Sequence, residues 1–144
     1  LDYPALEEEI QIVSQTTSVR KEQIQSILEK EQILDLQTLV REVPVPDHVL
    51  RQAVELVTKT RPGTEHSSSF VDQYLGWGAG PRASQFLILG AKTRALSRGR
   101  YNVELEDLHA LAVPVLRHRI VTNYAAEAEG ISSVDVINRL LTSL

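Results

Sequence analysis

Apolar residues recur at three- and four-residue spacing along most of this chain, and no alternating run is long enough to make a useful strand. The pattern predicts an all-α protein, a helical bundle of roughly five to seven helices. Pro4 opens the first run, in which Leu6, Ile10 and Val13 share a face. Glu7, Glu8 and Glu9 fall in its first turn, where acids complement the helix dipole. Thr16-Thr17-Ser18 breaks it. Ile24, Ile27 and Leu28 form a second run, and Ile33, Leu36, Leu39 and Val40 a third. These are two helices or one with an irregular middle. Pro44 and Pro46 stop the chain and restart it. From Asp47 to about Thr60, Leu50, Ala53, Val54 and Val57 then mark an amphipathic helix.

Residues 61–81 interrupt the periodicity with Gly63, three serines, Gly76, Gly78 and Gly80. Connections of this length are usually functional or mobile. Phe70, Val71, Tyr74, Leu75 and Trp77 within it predict that part packs down or forms a short helix. Trp77, the only tryptophan, reads most simply as an anchor of the loop to the core; the other reading sets it beside a ligand. The strongest helical pattern follows, from Arg82 to Arg98, with Ala83, Phe86, Leu87, Gly90, Ala91 and Ala95 as its buried stripe and Gly99 placed to end it. A further helix is expected from Leu105 to Ala112, with Glu104, Glu106 and Asp107 at its start and Pro114 at its end. Ser132 and Asp135 make a capping-box pair, Ile131 and Val136 can staple the turn, and Val136, Ile137, Leu140 and Leu141 carry the last helix.

Composition narrows the function. The 144 residues suit a single domain or a compact pair of subdomains, and 42% apolar residues suffice for a core. A net charge of −4 gives no general polyanion-binding field. The absence of cysteine removes disulfides, zinc thiolate sites and a cysteine nucleophile, and fits a cytoplasmic protein. No apolar run approaches the length of about 20 residues that a membrane helix needs, and no signal peptide opens the chain. With no methionine, even at position one, the chain reads as a piece excised from something larger.

Catalytic groups are scarce. His48, His66, His109 and His118 show no metal-ligand spacing, and neither a nucleophile elbow nor a P-loop is present. Glu127 and Glu129 flank small residues and read as solvated surface. The basic residues do cluster: Arg82, Lys92, Arg94, Arg98 and Arg100 give residues 82–100 a charge of +5 with no acid among them, and Arg117, His118 and Arg119 follow. The acids Glu104, Glu106 and Asp107 divide the two groups. Solvation and pairing with those acids account for some of the arginines, leaving others to face a nucleotide or a neighbouring subunit. At Gly76 to Ser84 a glycine-rich loop runs into Pro81, with Arg82 in the first helical turn. Proline is pre-set for that entry, and both the guanidinium and the helix N-terminus favour an anion. An arginine able to touch a phosphate is thus present without the cradle that would hold the phosphate.

Several motifs in register resemble the C-terminal portion of the MoxR family of AAA+ ATPases. Gly78-Ala79-Gly80-Pro81-Arg82-Ala83-Ser84-Gln85 resembles the family's sensor 2 motif, and Ala95 to Leu108 its glycine-arginine turn and following acidic helix start. Pro114 to Ile120 and Ala125 to Gly130 resemble two further signatures, and Tyr3-Pro4 with Glu7-Glu8-Glu9 the junction between ATPase core and helical lid. Gly80 stands where a serine is common, Glu104 and Leu105 where threonine and proline often start the helix, and residues 61–77 match least. The resemblance implies one lid domain over residues 1–144: a lead-in helix in residues 1–20, the long loop at 61–81, and the sensor 2 helix and its followers over 82–144. It implies that Arg82, set by Pro81 and Ala83, reaches the terminal phosphates of ATP, with Tyr3, Pro4 and Ile10 at the hinge and the adenine side. The phosphate loop and magnesium-binding acids would lie in a core upstream, so neither hydrolysis nor tight ATP binding is expected of this chain alone. The implied partners are that core, neighbouring subunits of a homo-oligomeric ring and a client protein to be remodelled or matured. The alternatives are a stand-alone helical nucleic-acid-binding module using residues 82–119, or a non-catalytic protein-interaction module.

Overall fold

The computed structural model describes residues 3–19 and 25–144, and the chain divides into two units, Leu1–Ile33 and Leu34–Leu144. In the first unit, α1 (Leu6–Thr17) begins where the Ala5 N–H donates to a Glu8 carboxylate oxygen at 2.9 Å, and ends as Ser18 turns extended. None of its side chains is buried, so the predicted face of Leu6, Ile10 and Val13 lies open. Of the second apolar run, Ile24 is outside the described residues, while Ile27 and Leu28 fall in a bend. The third run is α2 (Lys30–Glu42), most of which belongs to the second unit.

The second unit is built around α3 (Asp47–Lys59), α5 (Pro81–Ser97), α6 (Leu105–Leu116) and α8 (Ser133–Thr142). Between them lie α4 (Ser69–Tyr74), β1 (Leu75–Trp77), β2 (Val121–Thr122) and α7 (Tyr124–Ala128). Eight helices among the described residues exceed the expected five to seven, because α4 and α7 span only 6 and 5 residues and leave no periodic signature. Leu56, Leu87, Leu108, Leu116 and Ile137 are fully buried at the centre. Each contributes about 1.5–3 kcal/mol of hydrophobic stabilisation.

Three sequence expectations are corrected by packing. The buried edge of α3 is Val49, Ala53, Leu56 and Val57, leaving the predicted Leu50 and Val54 about half exposed. The apolar arc of α3 is wider than the strip that α5 covers, and spacing alone does not choose the edge. On α5, Ala83, Leu87, Ala91 and Ala95 are buried as expected, but Phe86 is half exposed beneath the Arg119 guanidinium, 5.0 Å from its ring. Finally, α6 continues through Pro114. Proline removes one helical N–H there, yet the next turn is retained by full burial of Leu116 and by the Arg117 N–H donating to Val113 at 2.9 Å.

The ends of the elements follow their residues. Gly99, at φ 72°, terminates α5 in the left-handed region that glycine supplies. Ser132 caps α8, its hydroxyl accepting from the Asp135 N–H at 3.2 Å while its own N–H donates to Asp135 at 2.8 Å. The Ser132 hydroxyl also donates to the Asp135 carboxylate at 2.5 Å, and this bond, with that from the Ser132 N–H, holds the Asp135 carboxyl below its usual range. Strands β1 and β2 pair antiparallel, Leu75 with Thr122 and Trp77 with Val121. At three and two residues they are too short for alternation to reveal, so the strand-free reading missed them while the all-α class stands.

Candidate functional site

The start of α5 is pinned from behind by the end of α3. Thr60 is fully buried; its hydroxyl donates to the Val57 carbonyl at 2.6 Å and accepts from the Ala79 N–H at 2.9 Å. Arg61 Nε donates to the Ala79 carbonyl at 3.0 Å, so both backbone groups of Ala79 are held by adjacent residues 60 and 61. Gly78 passes so close that a Cβ there would sit 2.6 Å from Arg61 Cα and closer still to the Thr60 carbonyl oxygen. Gly80 then enters α5 in extended conformation with no side chain to cap it, the Ala83 N–H donates to the Gly80 carbonyl at 2.9 Å, and Pro81 occupies the first helical position. Ala83 is buried, which fixes the rotation of the helix and leaves Arg82 exposed. Among the described residues Arg82 makes no ion pair.

Beside this turn lies an open cleft of about 390 Å³ lined by Arg61, Pro62, Trp77, Gly78, Gly80 and Pro81, with no carboxylate among the described residues that line it. Trp77 is 72% exposed and therefore does not anchor the loop to the core. Tyr74 and Leu75 do so instead. A register irregularity between Leu75 and Trp77 separates two side chains that a regular strand would put on one face, so Leu75 goes inward and Trp77 outward.

The other basic residues are largely engaged. Asp107, fully buried, accepts from Arg94 at 2.5 Å, from both Nη atoms of Arg100 at 2.7 and 2.5 Å, and from the Glu104 N–H at 3.0 Å. Burial alone would raise its carboxyl, but the bonds from Arg100, Glu104 and Arg94 prevail and hold it well below the usual carboxylate range. Glu106 takes Arg94 at 2.8 Å and Arg98 at 2.9 Å, and the Arg94 bond lowers its pKa. Lys92 donates to the Arg41 carbonyl at 2.7 Å. Arg119 is half-buried, donating to the Val115 carbonyl next to His118, whereas Arg117 is exposed. The run that reads as a cationic face is thus largely an internal ion network. Glu129, read as solvated, accepts the Tyr74 hydroxyl at 2.7 Å, and that bond raises the tyrosine pKa.

Of the six residues picked out from the sequence, Pro81, Arg82 and Ala83 come together in one helical turn. Tyr3, Pro4 and Ile10 lie in the first unit, all exposed. Thr60, Arg61 and the contact of Gly78 were missed; a bond between residues 19 apart leaves no periodic trace.

With this geometry in view, similarity defines the class. Residues 67–140 match the AAA lid domain family, and the chain belongs to that family. Chaperone MoxR1 of Mycobacterium tuberculosis is 35% identical over 142 residues, 99% of this chain and 37% of the relative. The uncharacterized YeaC protein of Bacillus subtilis is 30% identical over 145 residues, 100% of this chain and 42% of its own. A solved protein from Cytophaga hutchinsonii, provisionally described as an ATPase, superposes with a TM-score of 0.84 at 31% identity, covering 100% of this chain and 44% of that one. The chain is therefore a MoxR-like lid region, and it spans about two fifths of the length of these relatives.

Proposed function

We propose that this chain is the nucleotide-sensing lid of a MoxR-like ATPase, with Arg82 as the sensor 2 arginine. The observation that carries the reading is the contrast within one basic run. Arg94, Arg98 and Arg100 are committed to Glu106 and Asp107, whereas Arg82 is exposed and, among the described residues, without an ion pair, at a helix start braced by Thr60 and Arg61. Such a side chain suits a phosphate presented from outside the lid, because a guanidinium makes charge-assisted, bidentate bonds to phosphate oxygens. Pro81 and Ala83 position it. An ATPase core preceding Leu1 would supply the phosphate loop and the magnesium-binding acids, and Tyr3, Pro4 and Ile10 would line the hinge and the adenine side. ATP would bind tightly only in the joined protein, and hydrolysis would not belong to this chain alone.

In this reading Arg82 couples nucleotide state to lid angle: its bonds exist only while the terminal phosphate does, and their loss frees the lid to rotate. Neighbouring subunits of a cytoplasmic ring would pass that rotation to a client protein. The test is Arg82→Ala in the full-length protein. Turnover, or its stimulation by client, should fall at least about tenfold, consistent with loss of a charge-assisted contact. The melting temperature of the lid should not change, because Arg82 makes no ion pair among the described residues. Unaltered turnover and client response would remove Arg82 from this role.

A further inference from the structure

We infer that the furrow between α3 and α5 docks an acidic, amphipathic helix of the client protein. The client itself rests on the lid reading, while the binding chemistry comes from the furrow. The apolar arc of α3 is wider than the strip that α5 covers, and its uncovered edge carries Leu50 and Val54, 47% and 46% exposed. With Ile88 and Leu89 of α5 they line an open cleft of about 630 Å³, all of it in the second unit. Leu50 and Val54 stand four residues apart, as do Ser84, Ile88 and Lys92 on the α5 wall. Rows at that spacing form the ridges between which a further helix seats its own side chains. From Ser84 to Lys92 the wall runs about 12 Å, a little over two helical turns. A flat lipid surface would meet the ridges and leave the furrow empty.

Charge selects the partner. Among the described residues that line the cleft, only Arg41 and Lys92 are charged, and both are cations. The Lys92 ammonium donates to the Arg41 carbonyl at 2.7 Å, which ties the end of α2 to α5 at one end of the furrow. Neither cation forms an ion pair among the described residues, in contrast to Arg94, Arg98 and Arg100. A helix that fits has apolar residues at i, i+4 and i+7 and carboxylates at the end that meets these cations. The chain's own α1 has a similar make-up, but in the lid reading its Ile10 belongs to the hinge and the adenine side, which leaves the furrow to a client.

The probe is a fluorescein-labelled helical peptide with leucine at i, i+4 and i+7 and three glutamates at one end; a control peptide has lysine in place of each glutamate. Anisotropy on the whole chain should show saturable binding of the glutamate peptide, at least about tenfold tighter than the control. Leu50→Ser combined with Val54→Ser should weaken it at least about tenfold. Arg41→Glu, which keeps the carbonyl that Lys92 holds, should erase most of the preference between the peptides. These side chains are exposed or half exposed, and an unchanged melting temperature checks the fold. No saturable binding, equal binding of the two peptides, or binding unchanged in both variants overturns the inference. Self-association of the chain that the glutamate peptide reverses gives the furrow to a second copy and overturns it. Binding to phosphatidylserine vesicles in place of the peptide does the same. Loss of peptide binding in the full-length protein assigns the furrow to the ATPase core and also overturns it. The lid reading survives each of these results, because it is decided by turnover of the Arg82→Ala protein.

Discussion

At the scale of single residues, the chain works by close approach and by pairing. Gly78 is required where two backbone segments meet, and Gly78→Ala should cost about 1–3 kcal/mol in denaturant unfolding, as overpacking at a fixed contact does. Wild-type stability in that variant would mean that the Thr60–Arg61 segment can yield. Asp107 is the reverse case, a buried charge held by two arginines. Its folded pKa is depressed, so its stabilisation is present above the unfolded carboxylate value of about 3.9 and is lost as pH falls through the folded value. Asp107→Asn should therefore destabilise by about 3 kcal/mol at pH 7, with the gap closing in acid. A gap independent of pH would exclude this ionic origin. The sequence made Arg82 legible because Pro81 and the glycines before it are local signals. It could not make Arg82 distinguishable from Arg94 or Arg100, because their partners are chosen by how α5 meets α6.

Elements were legible to the extent that their signals are local. The capping box of α8 reads directly from Ser132 and Asp135, and Ser132→Ala should lower stability by about 1 kcal/mol, measured as a shift in the thermal midpoint. No shift would make that cap dispensable. The breaks at Pro44, Pro46 and Gly99 were equally readable. Length and edge were not. α6 passes Pro114 because burial of Leu116 outweighs one missing hydrogen bond, and α3 presents Val49 and Leu56 rather than Leu50 and Val54 because α5 covers one side of a broad apolar arc. The sheet of β1 and β2 rests on tertiary pairing alone, yet it decides the outward position of Trp77.

For the whole molecule, a net charge of −4 and the pairing of Arg94, Arg98 and Arg100 with acids oppose a nucleic-acid role for residues 82–119. What remains is a helical scaffold that fixes the exposed Arg82 and the exposed Trp77 near each other in sequence, in a family whose relatives here are more than twice as long. The central claim is that an ATPase core precedes this lid in the same protein. Reading the coding DNA immediately upstream of Leu1 tests it most directly. The account predicts an in-frame Gly-x-x-x-x-Gly-Lys-[Ser/Thr] followed by a strand-borne acidic pair. A start codon adjoining Leu1, with no such core, would contradict it.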